Sequence, residues 1–385
     1  MNTVTVANKQ KLLAQVEHAL GFAQQQVSAL VERDPDFYPL YTDSGRWRHA
    51  KPAWTRWCDG FLPGMMWIFY EETDDPKWGD LAVRYSKALE PRKDDREVHD
   101  LGFIFYHGTY KRWFEATVRE GAPDRSLNDV VIHAGQVLAL RFNERAGCLR
   151  SFHGADSNFI DIMMNVGVIF YAAQQTNDDA LLNLADRHCL TTRRMLVRGD
   201  GSTSHEGIFD LETGEFLKQT TQQGYRGDSC WSRGLAWSLY GFGTCHQLTR
   251  NPIYLEVAEL NADWWLAHIA EDGVAPWDFD APLDGPKSRS QVDTSASAIA
   301  AVGLFNLASM ASGTARRKAY LDRALRTVDS LTANYLGEGK DGWEGILRGG
   351  VYHIHKDLGV NESVMWGEFF FVEALQKAKH LLQRN

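Results

Sequence analysis

FIDIMMNVGVIFY, residues 159–171, is apolar on nearly every side of a helical wheel and carries one carboxylate, Asp161, in its first turn. A helix without a polar face is normally buried between other helices rather than laid on a surface. An ionisable group at the start of such a helix loses its hydration unless it is paired or put to use. Asp161 is therefore either a cap for its own helix or a functional acid.

Working outward, charge-poor segments of the same kind recur at about 59–70, 100–116, 230–247, 293–309 and 362–378. Between them run amphipathic segments at about 8–33, 76–90, 125–142, 178–196, 252–270 and 314–335. The first carries Leu12, Leu13, Val16, Ala19, Leu20, Ala23, Val27 and Leu30, a stripe at helical spacing. The joints EETDDPKW, QTNDDALL, LTRNPIYL and ASGTARRKAYL each place Thr or Ser, a turn residue and a new helix start in succession. Strand signals are few, near 207–217 and 344–355. The alternation predicts an all-α (α/α)6 barrel, with inner helices buried on both sides and amphipathic helices outside them. No Pro/Gly/Ser-rich linker divides the chain, so a single domain over residues 1–385 is expected. An open solenoid is the structural alternative. The loops that start the inner helices share one face of a closed ring, and the site is expected there.

Composition narrows the function. The net charge of −9 and the lack of a basic cluster argue against a nucleic-acid surface. Thirteen Trp, 13 Tyr and 19 Phe suit a carbohydrate or aromatic ligand, although core packing uses most such residues. Cys58, Cys148, Cys189, Cys230 and Cys245 show no paired spacing and read as reduced, buried thiols. The start of the chain, MNTVTVANKQKLLAQVEHAL, lacks a secretory pattern. No apolar run reaches the roughly 18 residues of a membrane span. A cytoplasmic location, without membrane or nucleic-acid partner, is expected, as a monomer or weak homo-oligomer.

Four places carry chemistry. Asp100, in EVHDLGFIFYHGTYKRW (97–113), opens the inner helix before that of Asp161, and the ring aims both carboxylates at one cavity. Two close carboxyl groups can hold unequal pKa values, one staying protonated near neutrality as general acid catalysis requires. A pair of helix caps would read the same way. In the tract 203–242, His205 and Gln223 lie in loop-like segments and Arg233 opens an inner helix between Trp231 and Trp237. Such an Arg either clamps a carboxylate ligand or ties down helix carbonyls. Trp54 and Trp57 precede the first inner helix and either stack on a sugar ring or pack the rim. His353 and His355 lack a third ligand at useful spacing, so no metal and no cofactor is expected.

Taken together, W-x2-W-C-D-G-F-x2-G-x2-W from Trp54, HDLGF (99–103), IDIMMN (160–165), GYRGDSCWSRGLAW (224–237), DTSASAIAA (293–301) and ESVMWGEFFFVEAL (362–375) resemble the unsaturated glucuronyl hydrolases of glycoside hydrolase family 88. The likeness runs in order over nearly the whole chain, and that family's fold is the (α/α)6 barrel. It implies an anionic oligosaccharide substrate left by polysaccharide lyases, ending in a uronic acid with a C4=C5 double bond. The implied chemistry is vinyl-ether hydration, with an Asp protonating C4 and activating the water that adds at C5. The resemblance places that Asp at Asp161 and a second essential carboxylate at Asp100. It makes His205, Gln223 and Arg233 polar contacts to the uronate, and His99, Trp54, Trp237 and Tyr352 the remaining cleft lining. Members that prefer sulfated fragments tend to carry paired Ser near a Lys in a C-terminal loop. The corresponding VYHIHKDLG (351–359) has Lys356 and no Ser. Two alternatives stand beside this reading: an unsaturated rhamnogalacturonyl hydrolase of the related family 105, and a non-catalytic sugar-binding toroid. HDLGF and IDIMMN favour family 88 over 105.

Overall fold

A computed structural model describes residues 6–384. Residues 1–5 and 385, which include the start of the segment read for a secretory pattern and both ends of the expected domain, lie outside the described residues. The helices are α1 (Val6–Arg33), α2 (Phe61–Thr73), α3 (Pro76–Ala88), α4 (Tyr110–Arg119), α5 (Arg125–Ala139), α6 (Ile162–Asn165), α7 (Gly167–Thr176), α8 (Asp179–Met195), α9 (Ser232–Thr249), α10 (Pro252–His268), α11 (Thr294–Met310), α12 (Thr314–Asn334) and α13 (Met365–Gln383). A π-helix, Gly102–Gly108, precedes α4. The inner ring runs α2, π-helix with α4, α6 with α7, α9, α11, α13 and back to α2; outside it pack α3, α5, α8, α10, α12 and α1. The (α/α)6 barrel is thus closed, and the open solenoid is excluded.

The burial pattern follows the polarity of each segment. Every residue of α9 from Ser232 to Cys245 is buried, as is every residue of α13 from Met365 to Gln376. In α3 only Trp78, Ala82, Tyr85 and Ser86 are buried, a single helical stripe. Neighbouring inner segments touch backbone to backbone where glycine permits it. A Cβ on Gly108 would lie 2.3 Å from the carbonyl oxygen of Gly60.

Three of the four joints end with a left-handed residue and then a side-chain cap. Asp74, Asn177 and Arg250 have φ of 52°, 54° and 59°. The residues after them, Asp75, Asp178 and Asn251, accept hydrogen bonds from the N–H groups of Lys77, Ala180 and Ile253. The fourth joint turns on Gly313 at φ 110° and caps α12 with no side chain.

Two inner helices differ from the sequence reading. The segment expected as one helix over 159–173 begins instead as a strand, β1 (Ser157–Phe159), and Asp161 follows it as the residue before α6. β1 pairs antiparallel with β2 (Glu206–Phe209), which pairs with β3 (Phe216–Thr220). The partner strand lies about fifty residues away, so local periodicity carries no sign of it. The segment expected as a helix over 100–116 is the π-helix followed by α4, broken at Thr109 (φ −121°, ψ −95°). The Thr109 hydroxyl donates to the Ile104 carbonyl at 2.7 Å, filling an acceptor inside the irregular turn. A second hairpin, β4 (Gly350–His353) with β5 (Leu358–Glu362), lies over the same mouth of the ring.

Candidate active site

The cleft opens on the face where the inner helices begin and holds about 750 Å³ of open space. Asp100, Asp161, His99, Gln223, Arg233, Trp54, Trp237 and Tyr352 all line it. His205 does not reach the lining; it stands behind Asp161, with its Nε2 3.6 Å from Asp161 Oδ2.

Neither carboxylate is a helix cap. Asp161 precedes α6 in right-handed helical conformation and makes no side-chain cap bond, and its Oδ2 has no hydrogen-bond partner. By contrast Asp293, before α11, accepts from the Ser295 N–H at 3.1 Å. Asp161 is free for chemistry where Asp293 is not. Burial raises the Asp161 carboxyl to about 7, against the opposing charge of Arg233. Asp100, 4% exposed, is raised to about 8 by burial and then by Asp161. The two form a coupled pair that keeps a proton near neutral pH, so its apparent values belong to the pair.

The two histidines beside them are held neutral, and their tautomers follow from the backbone. His99 Nδ1 accepts the Phe152 N–H at 3.0 Å, so its proton sits on Nε2, 3.3 Å from Asp100 Oδ1. His205 Nδ1 accepts the N–H groups of Gln222 and Gln223 at 3.1 and 3.3 Å, so its Nε2–H points at Asp161 Oδ2. Burial lowers the His99 pKa to about 3 and holds that of His205 well below the usual range. Each acid thus has one imidazole N–H beside it.

Arg233 is 2% exposed and its guanidinium is largely taken up by the protein. Nη1 donates to Asp293 Oδ2 at 2.6 Å and to the Val351 carbonyl; Nη2 donates to Gln223 Oε1 at 2.7 Å and the Tyr352 carbonyl at 2.9 Å. The Trp231 and Trp366 rings cover it at 4.5 and 5.2 Å. This is the tethering use of the residue: it anchors Gln223 and the β4 backbone to α9. Gln223, with its oxygen engaged, presents an NH2 donor to the cleft.

Several lining residues were missed in the sequence. Gln222 donates to Glu206 Oε2 at 3.0 Å, leaving its own oxygen as an acceptor, and Glu206 in turn accepts from Ser157 at 2.5 Å. Phe152, His153 and Phe159 form one wall. Lys356 stands with Nζ 4.6 Å over the Trp54 ring, on which His353 stacks at 5.4 Å. Only the neighbourhood of Gln223 pointed to Gln222; Phe152 and His153 sit in a loop without period. Trp237 and Phe103 make the floor, 5.1 Å apart between ring centres. Among the described residues no group of three or more His, Cys, Asp or Glu is arranged to hold a metal ion.

A closed helical ring with two carboxyl groups, both raised by burial, lining an aromatic cleft has the build of a glycoside hydrolase. The chain belongs to Glycosyl Hydrolase Family 88, whose family model matches residues 36–357. It is 32% identical over 369 residues to the unsaturated glucuronyl hydrolase of Bacillus sp. (strain GL1), covering 93% of this chain and 95% of that one. The crystal structure of unsaturated glucuronyl hydrolase from Bacillus sp. GL1 superposes with a TM-score of 0.86 over 94% of this chain and 96% of that one, at 32% identity. An Asp-to-Asn variant of the Streptococcus agalactiae unsaturated glucuronyl hydrolase, complexed with dGlcA-GalNAc6S, matches with a TM-score of 0.79 at 27% identity, over 98% and 93% of the two chains. No helix among the described residues is long and apolar enough to cross a membrane.

Proposed function

We propose that this glycoside hydrolase releases the Δ4,5-unsaturated uronic acid from the non-reducing end of lyase-derived oligosaccharides, with Asp161 as general acid and base. The observation that carries this reading is the uncapped Asp161 carboxyl lining the cleft, raised by burial to about 7, beside a second raised carboxyl, Asp100. Asp161 gives its proton to C4, and the ring oxygen stabilises the positive charge left at C5. A water adds at C5 and returns its proton to Asp161, giving a hemiketal. The hemiketal opens, freeing C1 to expel the next sugar, so one water is consumed in all. The charge of Arg233 supports the Asp161 carboxylate between the two transfers. Because the alkene is hydrated first, the carboxylate spacing that separates retaining from inverting glycosidases does not apply.

Asp100 hydrogen-bonds the ring hydroxyls and shares the retained proton with Asp161. Gln223 offers a donor and Gln222 an acceptor to the uronate, with Trp54 and Tyr352 at the mouth. His205 acts through Asp161 rather than on the sugar. The relatives captured with unsaturated oligosaccharides include two Asp-to-Asn variants, one with dGlcA-Glc-Rha-Glc, consistent with an aspartate doing the chemistry. The match to family 88 leaves the pectin-fragment alternative without support. We infer a single domain acting in the cytoplasm as a monomer or weak homo-oligomer, away from nucleic acid and membranes; five buried, unpaired thiols and the acidic net charge support this.

Asp161→Asn tests the assignment. The variant keeps its helical circular dichroism while turnover of a Δ4,5-glucuronyl disaccharide, followed by loss of alkene absorbance, drops by about 100-fold to 10,000-fold or more. Retained turnover would show that another group supplies the proton.

A further inference from the structure

We propose that Asn165 is a positioning residue that sets the separation of the two carboxylates, by tying the segment that carries Asp100 to the one that carries Asp161. The proposal rests on the assignment of those two acids to catalysis. Asn165 closes α6, four residues after Asp161, and is fully buried. Its Oδ1 accepts the Phe103 N–H at 2.8 Å, and its Nδ2 donates to the carbonyl of Asp161 at 3.3 Å. Phe103 is the second residue of the π-helix and stands three residues after Asp100. One side chain therefore holds both backbones.

The irregular helix explains why a side chain is needed here. Asp100 lies just ahead of a π-turn, where N–H groups lose their usual carbonyl four residues back. The Phe103 N–H takes the amide of a neighbouring inner helix instead. The backbones also meet directly. A Cβ on Gly102 would lie 2.5 Å from Asn165 Cα and 2.6 Å from its carbonyl oxygen. Farther from the site, His107 Nε2 bonds the Met164 carbonyl at 3.0 Å, a second tie between the same two segments. Along the π-helix, the end nearest Asp100 is held by Asn165 and the far end by His107. π-turns inside helices are frequent at functional sites, where they redirect side chains.

The consequence is electrostatic. The influence of Asp161 on Asp100 falls with distance, so anything that lets the segments part lowers the pH at which the pair gives up its last proton. The other groups facing Asp100 are His99, Cys58, Tyr352, Arg92, Arg141 and Asp95; those facing Asp161 are His205 and Arg233. The Asn165 side-chain bonds go to Phe103 and Asp161 backbone, not to any of these side chains.

The test is a pH profile of kcat/KM for Asn165→Leu, which keeps the branching at Cγ and removes both bonds, beside Gly102→Ala, which wedges the same segments apart without replacing any polar side chain. For both, kcat falls by about 100-fold with KM nearly unchanged. The alkaline limb moves to lower pH by about half a unit or more. Should Asn165→Leu not fold, Asn165→Ser is read by the same two measures. A folded variant with kcat within about twofold of wild type, or one that loses activity with the limb unmoved, overturns the proposal. Asp161→Asn in the same assay separates the two ideas: an active Asp161→Asn unseats the acids themselves, whereas an unmoved limb at 165 unseats only the tie.

Discussion

Removing the proposed acid should make the protein more stable, and the gain can be worked from the structure. Asp161 is raised from 3.8 to about 7, and its side chain is 14% exposed. At about 1.36 kcal/mol per pH unit, a carboxyl that must stay neutral or ionise in place costs on the order of 4 kcal/mol at pH 7. The sign is fixed by proton binding. Between about pH 4 and 7 the native state holds a proton that the unfolded chain has released, so stability declines as pH rises through that window. Asp161→Asn removes the penalty, and the new amide can turn its oxygen toward the His205 Nε2–H. It also relieves Asp100, whose carboxyl Asp161 pushes up. Unfolding entropy of about 2.1 cal/mol/K per residue gives roughly 0.8 kcal/mol/K for a chain of this length, so the expected rise in Tm is about 5 °C at pH 7. Thermal unfolding of wild type and variant, followed by circular dichroism from pH 4 to 8, reads it directly. The curves should coincide near pH 4, diverge up to pH 7 and run parallel above. A gain already complete at pH 4, or none at pH 7, refutes the claim that burial holds this carboxyl neutral.

Asp293→Ala leaves the Arg233 guanidinium buried without its counter-charge and should cost about 3–5 kcal/mol, seen as a lower urea midpoint; an unchanged midpoint would mean the ion pair is dispensable. The alkaline limb of wild-type kcat/KM should fall near pH 8, where the pair loses its last proton. A rate that stays flat beyond that point denies the need for the proton. Trp54→Ala, by removing the ring that carries Lys356 and His353, should raise KM about 5- to 10-fold with kcat little changed. A fall in kcat alone would place Trp54 nearer the reacting carbons.

The ring itself was legible because its cause is local: segments without a polar face must be enclosed, and those with one stripe must lie outside. Asp161 and Asp100 were legible for the same reason, as charges that such segments have no use for. What stayed hidden depends on partners distant in sequence. β1 exists because Ser157–Phe159 pairs with residues near 206, so a helical period ran on through it. Arg233 read as clamp or tether, and its ion pair with Asp293, sixty residues on, had no local sign. The π-helix leaves no mark in the residue pattern, since the apolar run 101–105 suits either kind of turn. His205, a sugar contact by resemblance, lies outside the cleft lining with its Nε2 3.6 Å from Asp161 Oδ2, a contact that no local pattern announces.

The ring closes late. The Phe61 ring of α2 stacks on Phe369 of α13 at 4.8 Å, and Thr42 bonds Glu362 at 2.6 Å across 320 residues of chain. At ribosomal speeds of about 5–20 residues per second, the first helical pair waits roughly 15–60 s for that neighbour. Through this interval its aromatic flank has no cover. Nascent chains stalled before residue 365 should therefore be the species most prone to stick to chaperones or to one another, and Phe61 marks where they would do so.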